Sequence, residues 1–298
     1  MTPIRCRSVL PASIAMVVAL ALAAGAPSAG APQEAATNTV HVIVLDDADA
    51  PVTGLTAADI VIIEDDQPRV VTDVKPAPDP LTLAILVDTA KPRLGDQYPT
   101  RDVRAGLASF LKIVQAANPA SKIAVMNTAG AAVMVQDFTD NTQNLTRAFG
   151  RLIPSQRTSA VVIEALLDIG KAIARQPGAR RAVVSIDFDS QDTSGAQGED
   201  VAAAIQGAGT SVWAISIRGQ GGTAMREAML DAITEISGGL RLTAVTASAL
   251  EQKLTVVARA LTSQYLVTYQ RPGGGSVKQV RAAAGKGSKF LATRIISK

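Results

Sequence analysis

Two carboxylates stand where apolar strands end. Asp88 follows the run 81–87, and Asp187 closes the run 181–186. Apolar runs without polar alternation are typical of parallel strands that are covered on both faces, and ligands of such sheets bind at the carboxyl ends of the strands. The sequence therefore predicts that Asp88 and Asp187 lie at the sheet edge where ligands of such folds bind.

Groups that could carry catalysis are few. His41 is the only histidine, and it lies in a predicted strand, 39–46, in which Val40, Val42 and Val44 occupy the opposite face. This pattern favours a hydrogen-bonded or exposed strand histidine over a general base. No G-x-S-x-G, H-E-x-x-H or Walker pattern occurs, whereas a Ser-Lys mechanism stays open because its members need not be neighbours in the chain. We predict a protein that is not an enzyme.

A glycine pattern raises the question of a nucleotide cofactor. Gly219, Gly221 and Ala224 satisfy a relaxed G-x-G-x-x-A after a predicted strand. A dinucleotide fingerprint belongs to the first β-α-β unit, however, and this pattern stands at the fifth strand. We predict no nucleotide cofactor.

The N-terminal segment has the features of a secretory signal. Arg5 and Arg7 precede an apolar stretch, and Ala-Gly-Ala at 29–31 supplies small residues for cleavage. We predict that residues 1–31 are removed at a site the sequence leaves open, giving a secreted or periplasmic protein without a membrane segment. The alternative is an uncleaved anchor, although 10–26 is barely long enough to span a membrane.

The predicted mature chain has no strong charge and no thiol. Cys6 leaves with the signal, so disulfides and cysteine metal sites are excluded. Loss of Arg5 and Arg7 leaves 27 basic residues against 26 acidic ones, a net charge of about +1. The basic residues are scattered among acids, and aromatic residues make up only 3% of the chain. Nucleic acid is therefore not a predicted partner.

Strand and helix patterns alternate through the middle of the chain. Helices are predicted at 100–117, 141–152, 158–175, 201–209, 223–236 and 248–261, and strands at 122–127, 131–137, 181–187, 210–217 and 240–243. Regular alternation of this kind indicates an α/β fold with a doubly wound, mostly parallel sheet.

The two flanks lack helical patterns. Short strands are predicted at 39–46, 59–64 and 70–75, and again at 264–270, 276–283 and 290–297. We predict that both flanks form one small β layer. The domain boundaries that follow are 36–78 for the N-terminal strands, 79–262 for the α/β domain and 263–298 for the C-terminal strands.

Four segments carry a family resemblance. They are VIVLDDADAPVTGLTAADIVIIEDDQPRVVTDVKP at 42–76, PLTLAILVDT at 80–89, RAVVSIDFDSQDTS at 181–194 and SQYLVTY at 263–269. Together they resemble bacterial exported von Willebrand factor A (VWA)-related proteins of the acidobacterial type. The resemblance implies a VWA domain at 79–262. Such domains bind proteins or matrix through a metal-ion-dependent adhesion site at the top of the sheet.

The adhesion site matches only in part. For the family pattern D-x-S-x-S the chain offers Asp88, then Ala90 and Pro92 in place of the two serines. The family threonine, five residues before an Ala-Leu pair, corresponds to Ala160, with Thr158 and Ser159 only nearby. The family T-D-G carboxylate corresponds to Asp187, and its glycine is replaced by Phe188.

These replacements predict a degenerate, metal-free site. Mg²⁺ requires a near-octahedral set of hard oxygens, and two carboxylates without the hydroxyls could hold only a weakly bound, hydrated ion. Two adjacent carboxylates repel each other, so we predict that Lys91 is their internal counter-ion. A plain turn carboxylate is the alternative role for Asp88.

The sequence thus predicts an exported, non-enzymatic VWA-like binding module for an unknown protein or matrix partner of the cell envelope. Its predicted contact surface is the carboxyl edge of the sheet, formed by Asp88, Thr89, Lys91, Thr158, Ser159 and Asp187. The alternatives are a cell-envelope hydrolase or its processing partner, and a structural envelope protein.

Overall fold

The computed structural model describes residues 36–92, 98–155, 159–217, 223–271 and 279–294. Residues 35–298 cluster into one compact unit. The predicted signal segment 1–31, Thr158, and the glycines Gly219 and Gly221 lie outside the described residues. Among the described residues, no helix has the length and apolar character needed to cross a membrane.

The predicted elements occur in the predicted order, with three additional short strands at 67–69, 159–160 and 191–192. Four strands come first: β1 (Ala36–Leu45), β2 (Ile60–Glu64), β3 (Gln67–Arg69) and β4 (Val71–Pro76). The alternating part follows, with β5 (Thr82–Val87), α1 (Thr100–Ala117), β6 (Lys122–Asn127), β7 (Val133–Thr139), α2 (Thr142–Gly150), β8 (Ser159–Ala160), α3 (Val162–Ile173), β9 (Arg181–Asp187), β10 (Gln191–Asp192), α4 (Gly198–Gly207), β11 (Thr210–Ile217), α5 (Ala224–Ser237), β12 (Arg241–Ala244) and α6 (Leu250–Thr262). The last strands are β13 (Tyr265–Arg271), β14 (Val280–Ala284) and β15 (Lys289–Arg294).

A six-stranded sheet forms the centre, in the order β12-β11-β9-β5-β6-β7. All its neighbouring strands are parallel except β7, which runs antiparallel at one edge. Every residue of β5, β9 and β11 is buried, because apolar clusters cover both faces of the sheet. The predicted doubly wound, mostly parallel α/β fold is confirmed.

The two flanks build shared antiparallel sheets, as predicted. One sheet has the order β15-β1-β13-β4 and the other the order β14-β2-β3, so each contains strands from both ends of the described chain. β1 lies between β13 and β15. Its side chains alternate: Val42 and Val44 pack inside the β layer, whereas Ile43 and Leu45 join the core of the α/β part. β1 therefore connects the two cores.

Arg180 bonds to both chain crossings, the two segments in which the chain passes between the α/β part and the β layer. Its guanidinium donates hydrogen bonds to Ala77 O (3.1 Å) in the crossing before β5, and to Leu261 O (2.8 Å) and Gln264 Oε1 (3.0 Å) in the crossing after α6. His41 of β1 is buried, and its Nε2 has no hydrogen-bond partner among the residues that the structure describes. Burial and the nearby charge of Arg180 lower the pKa of His41 to about 3.

One helix begins later than its periodicity indicates. The pattern predicts a helix from residue 158, but α3 starts at Val162. Asp192 Oδ2 accepts a hydrogen bond from Val162 N (2.9 Å), and Ser194 Oγ accepts one from Ile163 N (3.2 Å). These side chains come from β10 and the residues just after it, and they satisfy amides at the helix start, which a local pattern does not reveal. Ser159 and Ala160 instead form β8, paired with β10.

Candidate functional site

Asp88 lies directly after β5, at the carboxyl edge of the central sheet, and is completely buried. Its Oδ1 accepts a hydrogen bond from Ala90 N (2.8 Å), and its Oδ2 accepts one from the Ser190 hydroxyl. Burial raises the pKa of Asp88, while these two hydrogen bonds and the charge of Arg226 act to lower it. Both carboxylate oxygens are therefore already engaged inside the protein.

The cation beside Asp88 is Arg226, in the first turn of α5. Its Nη1 lies 3.9 Å from Asp88 Oδ2 and 3.3 Å from Ser190 Oγ, and its Nη2 donates to Phe188 O at 2.8 Å. Arg226 is only 2% exposed. The prediction that Lys91 neutralises Asp88 is wrong, because Lys91 is exposed and the buried guanidinium takes that role.

Asp187 ends β9 and is also buried. The Ser216 hydroxyl donates to its Oδ1 at 3.1 Å, and Arg241 donates to the same Ser216 oxygen at 2.9 Å. Burial raises the pKa of Asp187 to about 7, and the charge of Asp88 adds to the rise, while Arg226, the Ser216 hydrogen bond and Arg241 oppose it. Arg241 is further paired with Glu227 (2.6 Å). The centre of the edge is thus an internally bonded polar cluster.

The raised pKa of Asp187 predicts a pH effect on stability. Because the folded-state pKa, about 7, lies above the ordinary value of 3.8, ionised Asp187 destabilises the fold at neutral pH, and this penalty fades as the pH falls through 7 towards 4. Asp187→Asn should therefore stabilise the protein most at and above pH 7. Its advantage over wild type should shrink by up to about 1.4 kcal/mol per pH unit on acidification.

Urea unfolding of both proteins at a series of pH values measures this difference. The acid response of His41 has the opposite sign, since its folded-state pKa is lowered, but it is common to both proteins and cancels in the comparison. A difference between variant and wild type that does not change with pH would contradict the prediction.

The five predicted contact residues that the structure describes lie at different depths, and the sixth, Thr158, lies outside the described residues. Asp88, Thr89 and Asp187 are buried; the Thr89 hydroxyl donates to Asn127 Oδ1 at 2.8 Å. Ser159 is half-buried and Lys91 is exposed. The structure brings Asp88, Asp187 and Arg226 together in the protein interior. Direct contact with a partner would therefore involve side chains closer to the surface.

The residues present do not form a good Mg²⁺ site. Asp88 uses both oxygens internally, and the positions of the missing hydroxyls are held by Ala90, Pro92 and Ala160. A divalent cation at Asp88 would also be repelled by the guanidinium of Arg226. Among the described residues, no group of three or more histidine or acidic side chains converges as metal ligands would.

The outer surface of the same edge is apolar. Of the eight large apolar side chains that are exposed among the described residues, five lie here; we call them the apolar rim, and they are Val133, Met134, Ile153, Met225 and Val245. β7 begins at this edge because it is antiparallel, and Met225 and Val245 follow the carboxyl ends of β11 and β12. Ile153 lies between Arg151, which donates to Val135 O, and Ser155, whose amide donates to Thr89 O.

Sequence reasoning missed Arg226 and Ser190. A signal for Arg226 did exist: Arg226, Leu230 and Ile233 share helical spacing, which places a charged residue on the buried face of α5. A cation at such a position needs a buried anion. Ser190 carries no comparable signal.

The strand order with its antiparallel edge strand defines a doubly wound, Rossmann-like α/β fold. No model of a known protein family matches the chain. No curated protein matches it in sequence either.

Solved structures with partial similarity to this chain include a von Willebrand factor type A protein. A von Willebrand factor type A protein from Catenulispora acidiphila is 12% identical, with 89% of this chain and 73% of that chain covered and a TM-score of 0.49. BatB from Bacteroides thetaiotaomicron is 16% identical, with 61% and 100% covered and a TM-score of 0.43. Proximal thread matrix protein 1 from the mussel byssus, with a zinc-occupied adhesion motif, is 13% identical over 65% of this chain and 47% of its own, with a TM-score of 0.48.

Proposed function

We propose that this chain is an exported, non-enzymatic binding module of the cell envelope that contacts a protein or matrix partner through the carboxyl edge of its central sheet. The observation that carries the proposal is the apolar rim, which concentrates exposed apolar side chains at this edge. Exposed apolar surface around a polar centre is typical of protein contact sites. The N-terminal segment supports export.

The polar centre supports a structural role and binding without metal. Arg226 supplies the positive charge beside Asp88 that a metal ion would otherwise supply. Asp88, Asp187 and Arg226 are buried, and each forms hydrogen bonds to other residues of the protein. A general acid or base must instead come within hydrogen-bond reach of its substrate. These buried polar groups are therefore suited to fixing the conformation of the surface at the carboxyl edge.

Capture of a partner from envelope extract tests the proposal. Immobilised protein should retain the same partner with and without EDTA. Met225→Asp and Val245→Asp, which place a charge in the apolar rim, should each reduce retention about tenfold or more, because replacing an interface residue that carries binding energy costs on the order of 2 kcal/mol. Ile236→Asp is the matched control, since Ile236 is exposed at the opposite end of α5.

Two results would count against this proposal. Loss of the partner in EDTA would show that a metal is required. Equal losses in Ile236→Asp and in the rim variants would place the contact elsewhere.

Metal affinity is tested separately by calorimetry at neutral pH. We expect no Mg²⁺ binding tighter than the millimolar range, because the edge lacks the hydroxyl ligands and already contains a guanidinium. Asp88→Ala is the control for any heat observed. A micromolar Mg²⁺ or Mn²⁺ isotherm that disappears in Asp88→Ala would overturn the metal-free assignment.

A further inference from the structure

An open cleft lies between β7 and α2. It has a volume of about 420 Å³ and is lined by four polar side chains, those of Gln136, Asn144, Arg147 and Arg151. Because α2 follows the antiparallel strand β7, its last turn lies at the carboxyl edge of the central sheet. The chain stays at that edge after the helix, where the Ser155 amide donates to Thr89 O at 2.9 Å. We call this site the basic cleft.

Neutral acceptors hold both arginines of the basic cleft in place. Arg147 Nη2 donates to Asn144 Oδ1, and Arg151 Nη2 donates to Val135 O at 2.7 Å. A guanidinium has five N–H donors, so most of the donors of each arginine remain available to a ligand. Both residues are exposed, and a ligand from solution can therefore reach them.

The positive charge of the basic cleft is not neutralised by the described part of the chain. Neither Arg147 nor Arg151 forms an ion pair with a described carboxylate, and none of the described residues that line the cleft is acidic. Arg104 of α1 donates to Gly150 O (2.9 Å) at the end of α2 and adds a third cation. Two like charges four residues apart repel each other, so an anion bound between them lowers their energy.

We infer that the basic cleft binds carboxylate side chains of an acidic, partly apolar segment of a protein partner. This inference rests on the proposed function and names the chemistry of the contact. Charge complementarity is its first basis, because guanidinium groups bind carboxylates through paired N–H donors.

Continuity with the apolar rim is the second basis. Val133 and Met134 precede Gln136 in β7, and they are 52% and 37% exposed. Ile153, which is 66% exposed, follows shortly after Arg151. An occupant of the basic cleft therefore also meets exposed apolar side chains. A peptide supplies carboxylates and apolar side chains together, whereas a phosphate polymer supplies charge alone.

Fluorescence anisotropy with a labelled peptide of glutamate and leucine tests the inference at low ionic strength. Wild-type protein should bind this peptide about tenfold or more tightly than a glutamine-leucine peptide of equal length, and added salt should weaken the binding. Arg147→Gln should weaken binding about threefold, and the double variant with Arg151→Gln about tenfold. Arg175→Gln with Arg259→Gln is the matched control and should bind as wild type, because it removes the same charge from exposed residues near the opposite edge of the sheet.

Two further variants and a second probe separate binding from folding and from general attraction of anions. Among the described residues Arg147 bonds only to Asn144, so Arg147→Gln should melt within about 2 °C of wild type. Val133→Ser, which removes an apolar contact and no charge, should weaken peptide binding about threefold and leave polyphosphate binding unchanged. If polyphosphate of equal charge binds more tightly than the peptide, the basic cleft is a phosphate site and the carboxylate assignment is overturned.

The remaining outcomes are equally decisive. Equal peptide binding by wild type and by the double arginine variant overturns the inference. The sequence near this edge also contains Asp96, outside the described residues. Peptide binding that appears only in Asp96→Asn assigns the arginines to an acid of this chain and overturns the inference as well. Partner capture that depends on the apolar rim but not on the arginines overturns the inference and leaves the proposed function standing, whereas capture that is independent of the rim overturns the proposed function itself.

Discussion

A chain ending at Thr262 should fail to fold into a stable monomer. The truncation removes β13 and β15, the two neighbours of β1, together with β14, the neighbour of β2. Three buried side chains of β13 are lost, Tyr265, Val267 and Tyr269. At about 1.5–3 kcal/mol each, their burial is comparable with the whole stability of a typical domain.

The truncation also damages the α/β part. Arg180 loses its partner Gln264, which is one of the contacts that hold the chain crossings in place. β1 would present two unpaired edges, and Val40 and Val42 would lose the strands that cover them. Exposed, unpaired strands promote association with other chains, so aggregation should accompany the loss of stability.

A chain ending at Arg294 is the matched control, because it keeps every strand of the β layer. It should remain monomeric by light scattering, with the amides of β1 protected from hydrogen exchange as in the full chain. If the chain ending at Thr262 is equally monomeric and its β1 amides equally protected, the two flanks do not depend on each other and the shared β layer is refuted.

The elements that sequence predicts best are those whose own residues determine them. α1 was predicted at 100–117 and β9 at 181–187, and both match, because the first has apolar residues at helical spacing and the second is a short run in which alanine, valine and isoleucine predominate. The edge position of Asp88 follows from the same reasoning, since it requires only the end of a buried strand and the parallel topology.

The parts that sequence could not predict depend on distant residues. α3 begins at Val162 because Asp192 and Ser194, about thirty residues later, bond to its first amides. Lys91 was predicted as the counter-ion because it is close to Asp88 in the chain, whereas Arg226 reaches Asp88 from a helix 138 residues later. The helix that carries Arg226 follows the fifth strand of the central sheet, whereas Asp88 follows the first. Only the strand order shows that these two strands lie close enough for a long side chain to connect them.

Loss of the Arg226 charge should be among the most destabilising single changes in the protein. Arg226→Met keeps most of the side-chain volume but leaves Asp88 buried without its cation and leaves Phe188 O without its donor. Removing one partner of a buried ion pair typically costs about 3–5 kcal/mol. Arg259→Met, on the exposed face of α6, is the control and should stay within about 0.5 kcal/mol of wild type.

Two further measurements identify the cause of the effect. The double variant Asp88→Asn with Arg226→Met should recover much of the lost stability, because it removes the uncompensated charge as well as its partner. In Arg226→Met the pKa of Asp88 should rise further, so the stability deficit should be largest at neutral pH and should shrink as acid protonates the carboxylate. Urea unfolding at several pH values measures both responses. If Arg226→Met unfolds as wild type does at neutral pH, the guanidinium is not the counter-ion of Asp88, and the structural argument for a metal-free edge loses its main support.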